Sequence, residues 1–230
     1  MLTTNKRGLI LGMFLGFLFV FVSFSTPVLA EEIPAEAKTA AEEGLKPLLE
    51  AIPVGELGYF NFTDQGEVDQ AKLGGPFMIY TILPDEILNY AAGTDVKSII
   101  SATNIWLFPV VSKGEARTLL TIDFVDGNWR AVSIGGSGVA KQWADITKMD
   151  NSAVGGGIYK FVRIYQAASD FVLMPAEDIG GTKMVLVPLE SGRITLELKG
   201  EGAYDPSEII LGLQEPVREN LEAFKTTEGK

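Results

Sequence analysis

The first thirty residues constrain this chain more than any other feature, because they hold its one long apolar stretch. Lys6 and Arg7 precede an apolar run over residues 9–24, and small side chains stand at Val28 and Ala30. A charged start, an apolar middle and small residues before a cleavage point are the three parts of a secretory signal peptide. The sequence therefore predicts a signal peptide at residues 1–30, cleaved after Ala30, and an exported protein that folds from residues 31–230.

The alternative for this segment is an anchor that stays in the membrane. The apolar run falls short of the ~20 residues that span a bilayer, although Val28 and Leu29 extend it past Pro27. A lipid anchor on the cleaved product is excluded, because the chain has no cysteine to acylate. We therefore expect no membrane span after cleavage and a location outside the cell or in its envelope, including the periplasm.

The composition excludes several classes of chemistry. The chain has no histidine and no cysteine. Without them it cannot form a Ser-His-Asp triad, a thiolate nucleophile, an iron-sulfur site or a disulfide. The chemistry that remains is carboxylate acid/base catalysis, Ser-Lys catalysis, a metal on oxygen ligands and plain binding. Asp123, Asp126 and Asn128 lack the ligand spacing of a calcium loop, so we predict no metal site and no cofactor.

The charge of the chain limits its partners. Removal of residues 1–30 takes away Lys6 and Arg7 and no acidic residue, so the net charge changes from −11 to −13. Nucleic acid and anionic lipid are bound through basic patches. The acidic balance therefore predicts no nucleic-acid partner.

Residue periodicity predicts an α+β fold, in which an antiparallel β-meander packs with N-terminal, central and C-terminal helices. Residues 31–230 are expected to form a single domain, with a candidate subdomain joint at residues 154–157. The predicted helices are 35–51, 85–92, 94–102, 139–149 and one that starts at Asp205. The predicted strands are 76–83, 105–111, 116–124, 128–134, 158–166, 171–174, 184–189 and 193–199.

Turn residues add detail to this outline. Asp126-Gly127 is a tight-turn signal that would pair Phe124 with Trp129 and Asp123 with Arg130. Three prolines interrupt their elements. Pro109 is expected to place its strand at an edge or a bulge, whereas Pro47 and Pro216 are expected to kink or break their helices.

One strand carries candidate binding residues. Tyr159, Phe161 and Tyr165 alternate onto one face of the strand at 158–166, with Arg163 between them. Aromatic rings in a row with an arginine stack a sugar or hold a peptide. The alternative is that the row forms one wall of the core, with tyrosine hydroxyl groups at its edge.

A glycine turn at residues 135–138 opens the central helix and raises a second hypothesis. Ser137 and Lys141 suggest a catalytic pair in which a lysine activates a serine nucleophile, but their spacing is not the S-x-x-K spacing of the known motif. The simpler interpretation is that Ser137 caps a core helix. The catalytic residues, if there are any, stay unknown at this point.

The sequence resembles no family closely enough to name. It favours a non-catalytic binding domain whose partner is a protein, peptide or glycan at the cell surface. The apolar seam of the C-terminal helix, from Ile210 to Phe224, is expected to dock on a sheet, with contact to a second copy or to a partner helix as the alternatives. The alternative function is a carboxylate-dependent hydrolase that acts on envelope polysaccharide, which would need two convergent acidic side chains in a pocket.

Overall fold

The computed structural model describes residues 32–148, 159–176 and 183–228, and in them the chain forms an α+β fold. The predicted signal peptide and the candidate joint at 154–157 lie outside the described residues. The helices are α1 Ala35–Glu50, α2 Gln65–Asp69, α3 Pro84–Leu88, α4 Ser137–Lys148, α5 Glu190–Thr195 and α6 Pro206–Glu228. The strands are β1 Lys72–Leu73, β2 Phe77–Ile82, β3 Ile100–Ser112, β4 Glu115–Val125, β5 Asn128–Gly135, β6 Lys160–Ile164, β7 Ser169–Pro175 and β8 Met184–Pro188.

The described strands form one mixed sheet in the order β5-β4-β3-β2-β6-β7-β8, and β1 pairs with the end of β3. Strands β3, β4 and β5 form the predicted antiparallel meander. Strands β6, β7 and β8 form a second antiparallel set. The two sets meet where β2 runs parallel to β6.

The turn between β4 and β5 has the predicted register. Asp126 and Gly127 both have positive φ, 53° and 78°, as a type I′ hairpin turn requires. Phe124 pairs with Trp129 and Asp123 with Arg130, so the predicted register is confirmed. The aromatic rings of the first pair lie 5.2 Å apart between centroids.

Helices cover the two faces of the sheet unequally. The larger core lies on the face against which α1, α3 and α6 pack, and it includes Ile122, Ile164 and Ile210. Helix α1 approaches this face closely at Gly44, where an added Cβ would overlap the side chain of Ala131 on β5. The smaller core lies on the opposite face, below α4, and is built around Phe77, Trp143 and Phe161.

The prediction of a strand at 193–199 is wrong, because residues Glu190–Thr195 form helix α5. The helix fits closely at Gly192, where any Cβ would meet the ring of Phe171. It ends in a Schellman motif, in which the Leu198 N–H donates to the Arg193 carbonyl while Glu197 takes a φ of 51°. Glycine usually occupies this position at the end of a helix. Because residue 197 is a glutamate, the sequence contains no signal for the end of α5.

The effects predicted for the prolines are only partly correct. Helix α6 starts at Pro206 as predicted, but it continues through Pro216 instead of breaking there. Pro109 lies inside the sheet, because β3 has β4 on one side and both β2 and β1 on the other. The predicted bulge does occur next to it, where the β3–β4 register shifts between Val110 and Val111.

The predicted helix at 94–102 is also mostly wrong. A short 3-10 turn, Val96–Ser98, is capped by Asp95 rather than Thr94, and β3 begins at Ile100. The Asp95 side chain accepts a hydrogen bond from the Lys97 N–H, which favours a local turn over a longer helix.

Candidate functional site

The four candidate residues, two of them in β6 and one on either side of it, divide into a buried pair and a more exposed pair. Phe161 is fully buried and Tyr159 nearly so, both in the smaller core. Arg163 is partly exposed, and 47% of Tyr165 is exposed just after the end of β6. Phe161 therefore contributes to the core and is not available at the surface.

Helix α4 causes this division. Trp143 stacks on Phe77 with ring centroids 4.0 Å apart, and it meets Phe161 edge-on at 6.1 Å. Such aromatic pairs add stabilisation beyond their buried area. The core-wall interpretation therefore holds for Phe161, whose side chain the helix covers.

A cleft of about 990 Å³ opens beside Tyr159, which is one of the residues that line it. It lies between α4, the paired strands β7 and β8, helix α5 and the segment that leads to α6. Most of its lining is apolar, with polar side chains among them. The described residues that line it are Gln142, Asp145, Ile146, Tyr159, Met174, Pro175, Ala176, Val185, Val187, Pro188, Arg193, Glu201, Gly202 and Ala203.

Two of the polar side chains in the cleft already hold the fold together. The Gln142 side-chain carbonyl accepts a hydrogen bond from the Glu190 N–H at 2.7 Å. Arg193 donates to the Pro188 carbonyl at 3.3 Å and lies 3.9 Å from the Glu201 carboxylate. The Glu201 side chain itself is 89% exposed. These contacts position α4 and α5 around the cleft.

The two more exposed candidates, Arg163 and Tyr165, belong to a polar cluster. Arg163 pairs with Asp170 of β7 through two hydrogen bonds, Nε to Oδ1 at 2.7 Å and Nη2 to Oδ2 at 3.0 Å. Partial burial raises the pKa of the Tyr165 hydroxyl, against the opposing effect of Arg163. The carboxylates of Asp170 and Asp123 raise it further. Sequence reasoning missed Asp170, because the predicted strand started at residue 171 whereas β7 begins at Ser169.

The prediction that Ser137 caps the central helix is wrong, because Gly136 occupies the cap position. Ser137 is the first residue of α4, and its hydroxyl donates to the backbone carbonyl of Tyr59 at 3.1 Å. Gly136 precedes it with a φ of 71° and accepts the first helical hydrogen bond from Ala140. Ser137 thus ties the start of α4 to the segment before α2.

The acidic side chains with displaced pKa values do not have the properties of a general acid. A hydrogen bond from the Thr63 N–H, together with Lys113 and Arg117, holds the pKa of Glu67 below its usual value. A hydrogen bond from the Ser207 N–H does the same for Asp205. A general acid at neutral pH needs the opposite displacement.

No group of three or more acidic side chains in the described ranges converges closely enough to hold a metal ion. Within residues 32–148, 159–176 and 183–228, no helix has the length and apolar character needed to cross a membrane.

Together, the sheet, its two cores and the cleft define an α+β domain built on a single mixed sheet. Comparison with known proteins finds no matching family model, and no curated protein or solved structure with significant similarity to this chain.

Proposed function

We propose that the protein is an exported, non-catalytic binding domain of the cell envelope or the extracellular space. The observation that carries this proposal is the cleft of about 990 Å³ between α4 and the β7–β8 pair. Ligand sites in proteins are concave, mainly apolar and fixed by a few polar groups, and their volumes reach about this size.

The ligand class follows from the cleft walls. Ile146, Met174 and Val185 supply apolar surface, while the exposed carboxylate of Glu201 lies near the rim. A protein segment or peptide that buries an apolar side chain between these walls suits such a lining. An anionic ligand is disfavoured by Asp145 and Glu201 and by the negative charge of the chain.

The proposal of a non-catalytic domain is supported by the contacts that the polar side chains of the cleft already make. Gln142 and Arg193 make hydrogen bonds that hold the main chain in place. Without histidine and cysteine, Asp145 and Glu201 would have to carry out acid/base chemistry between them. The Glu201 side chain is 89% exposed to solvent, whereas enzymes usually bury the carboxyl group that serves as a general acid.

A peptide array probed with purified protein tests the cleft. Val185→Lys places a charge on the apolar wall, and we expect it to abolish binding of the selected peptides. Val132→Lys is the matched control, because Val132 is an exposed valine on the edge strand β5. Equal binding by the two variants would show that the peptides do not bind in the cleft.

An assay with envelope polysaccharides tests the alternative hydrolase function. Turnover that disappears in Asp145→Asn or Glu201→Gln, with the fold intact by circular dichroism, would overturn the non-catalytic proposal. We expect no turnover in the wild type or in either variant.

Export is tested by the start of the protein recovered from the producing cell. Val28 and Ala30 provide the small residues that precede cleavage, so we expect a chain that begins at Glu31. Intact-mass measurement decides this. Recovery of only the full-length chain, dependent on detergent, would instead indicate an anchor.

A further inference from the structure

The sheet face below α4 continues beyond the helix as a polar surface. Strand register aligns Ser101 of β3 with Thr81 of β2, and Arg163 of β6 with Asp170 of β7. The parallel pairing of Tyr80 with Val162 brings Thr81 beside Arg163. We call Ser101, Thr81, Arg163 and Asp170 the polar row. It crosses four adjacent strands, and Tyr165 follows Arg163 by two residues.

Hydrogen bonds within the protein hold the polar row in place. Asp170 is largely buried and holds two nitrogen atoms of Arg163, which leaves the Nη1 amino group outside that pair. The Thr81 hydroxyl donates to the Arg163 carbonyl at 2.8 Å. A bidentate pair fixes the plane of a guanidinium group, so little entropy is lost when its remaining N–H groups bind a ligand.

Tyr165 adds an aromatic ring and a hydroxyl group to this row. With 47% of its surface exposed, the ring presents an apolar face to solvent. A tyrosine hydroxyl is protonated at neutral pH, and partial burial together with the nearby carboxylates raises the pKa of this one further, so it can donate a hydrogen bond. Donors and acceptors therefore lie side by side next to an aromatic face.

We propose that the polar row and Tyr165 form a second site, separate from the cleft, which binds a neutral saccharide. Each sugar hydroxyl both donates and accepts hydrogen bonds, which matches the Nη1 group of Arg163 beside the carboxylate of Asp170. The apolar C–H face of a sugar ring packs against the ring of Tyr165.

Charge disfavours the anionic alternatives. Asp170 balances Arg163, and the Asp123 carboxylate near Tyr165 adds a negative charge. The chain as a whole carries a net charge of −11. Uronate or phosphate groups would meet repulsion here, so the ligand is a neutral glycan rather than an acidic one.

Titration calorimetry with defined soluble sugars tests this site. The probes are a chito-oligosaccharide and a malto-oligosaccharide as neutral chains, and an oligogalacturonate as the anionic comparison. We expect at least one neutral chain to bind and the oligogalacturonate not to bind. Tyr165→Ala should weaken binding by about tenfold or more, and Tyr165→Phe by less, because it keeps the ring.

The matched control is Tyr59→Ala, since Tyr59 is an exposed tyrosine outside the row and its side chain can be removed without touching the Ser137 bond to its carbonyl. It should bind like the wild type, as should the cleft variant Val185→Lys. Failure of every neutral chain to bind, or equal binding by Tyr165→Ala and Tyr59→Ala, would overturn the saccharide site. Neither result would affect peptide binding in the cleft.

Discussion

Glu67 shows how a single charged residue holds two loops together. Its side chain is almost completely buried, and its carboxylate accepts hydrogen bonds from the Thr63 N–H at 2.9 Å and from Arg117 at 3.0 Å. Lys113, in the turn between β3 and β4, lies 3.1 Å away. The Ser112 hydroxyl also donates to the Glu67 carbonyl. Removing this charge would leave the largely buried Arg117 with only the exposed Glu115 carboxylate as an ionic partner.

We therefore predict that Glu67→Gln lowers the melting temperature at neutral pH. The folded pKa of Glu67 is below its usual value of 4.5, so its charged form stabilises the fold above that pH. The contribution is lost as the pH falls through the folded pKa. The difference in melting temperature between wild type and Glu67→Gln should accordingly shrink when thermal unfolding is measured well below pH 4.5.

Glu115→Gln is the control for this prediction. Glu115 lies 2.8 Å from the same Arg117, but its side chain is mostly exposed. Exposed ion pairs contribute little to stability, so this variant should melt close to the wild type. Equal melting temperatures for Glu67→Gln and the wild type at neutral pH would contradict the role given to the buried carboxylate.

At the scale of elements, the features that depend on a few neighbouring residues, such as tight turns and helix starts, were predicted correctly. The β4–β5 hairpin follows from Asp126-Gly127, because few residue pairs tolerate two successive positive φ angles. The start of α6 follows from Asp205 and Pro206, as the Asp205 side chain accepts a hydrogen bond from the Ser207 N–H at 2.9 Å. Both signals act within a few residues of the chain.

Helix α5 could not be predicted in the same way, because distant contacts determine it. Alternation of Ile194, Leu196 and Leu198 is typical of a strand. The Ser191 hydroxyl instead accepts a hydrogen bond from the Asp170 N–H, and the Thr195 hydroxyl lies 2.8 Å from that of Ser169. Tertiary hydrogen bonds of this kind override a short periodic pattern, and they are invisible in the sequence.

The contact between α1 and β5 gives a test at this scale. An added Cβ at Gly44 would overlap that of Ala131, so Gly44→Ala should force α1 away from the sheet. Overpacking typically costs about 1–3 kcal/mol. The better helix propensity of alanine offsets about 1 kcal/mol of this. We predict a net loss of stability in urea unfolding.

Gly138→Ala in α4 is the matched control, since an added Cβ there meets nothing closer than the Gln142 side chain at 4.0 Å. It should be neutral or slightly stabilising. Ala131→Gly, combined with Gly44→Ala, should recover much of the lost stability. If Gly44→Ala alone were as stable as the wild type, α1 would not approach β5 as closely as described.

At the scale of the whole molecule, the candidate site was predictable in part. Strand alternation correctly placed Phe161 and Arg163 on one face of β6, since Phe161 lies in the core below α4 and the guanidinium of Arg163 is 5.3 Å from its ring. The sequence could not show that α4 covers only half of that face. Nor could it show the cleft, because its walls come from elements that are far apart in the chain.

The last turns of α6 differ from the rest of that helix. Ile210, Leu213 and Val217 are buried against the sheet, which accounts for the first part of the predicted seam. From residue 218 to residue 226 the side chains are mostly exposed, Leu221 is only partly buried, and Phe224 is 62% exposed. A helical stretch without tertiary packing is only marginally stable in water. Contact with a second copy would cover the exposed side chains and stabilise these turns.

We therefore predict concentration-dependent self-association through the end of α6. Sedimentation velocity over a range of concentrations should show a dimer in the wild type and a monomer in Phe224→Ser, because the change removes the largest exposed apolar side chain of this segment. Tyr59→Ser removes another exposed aromatic side chain, outside α6, and should associate like the wild type. A monomer at all concentrations, or the same association in both variants, would show that Phe224 does not mediate contact between copies.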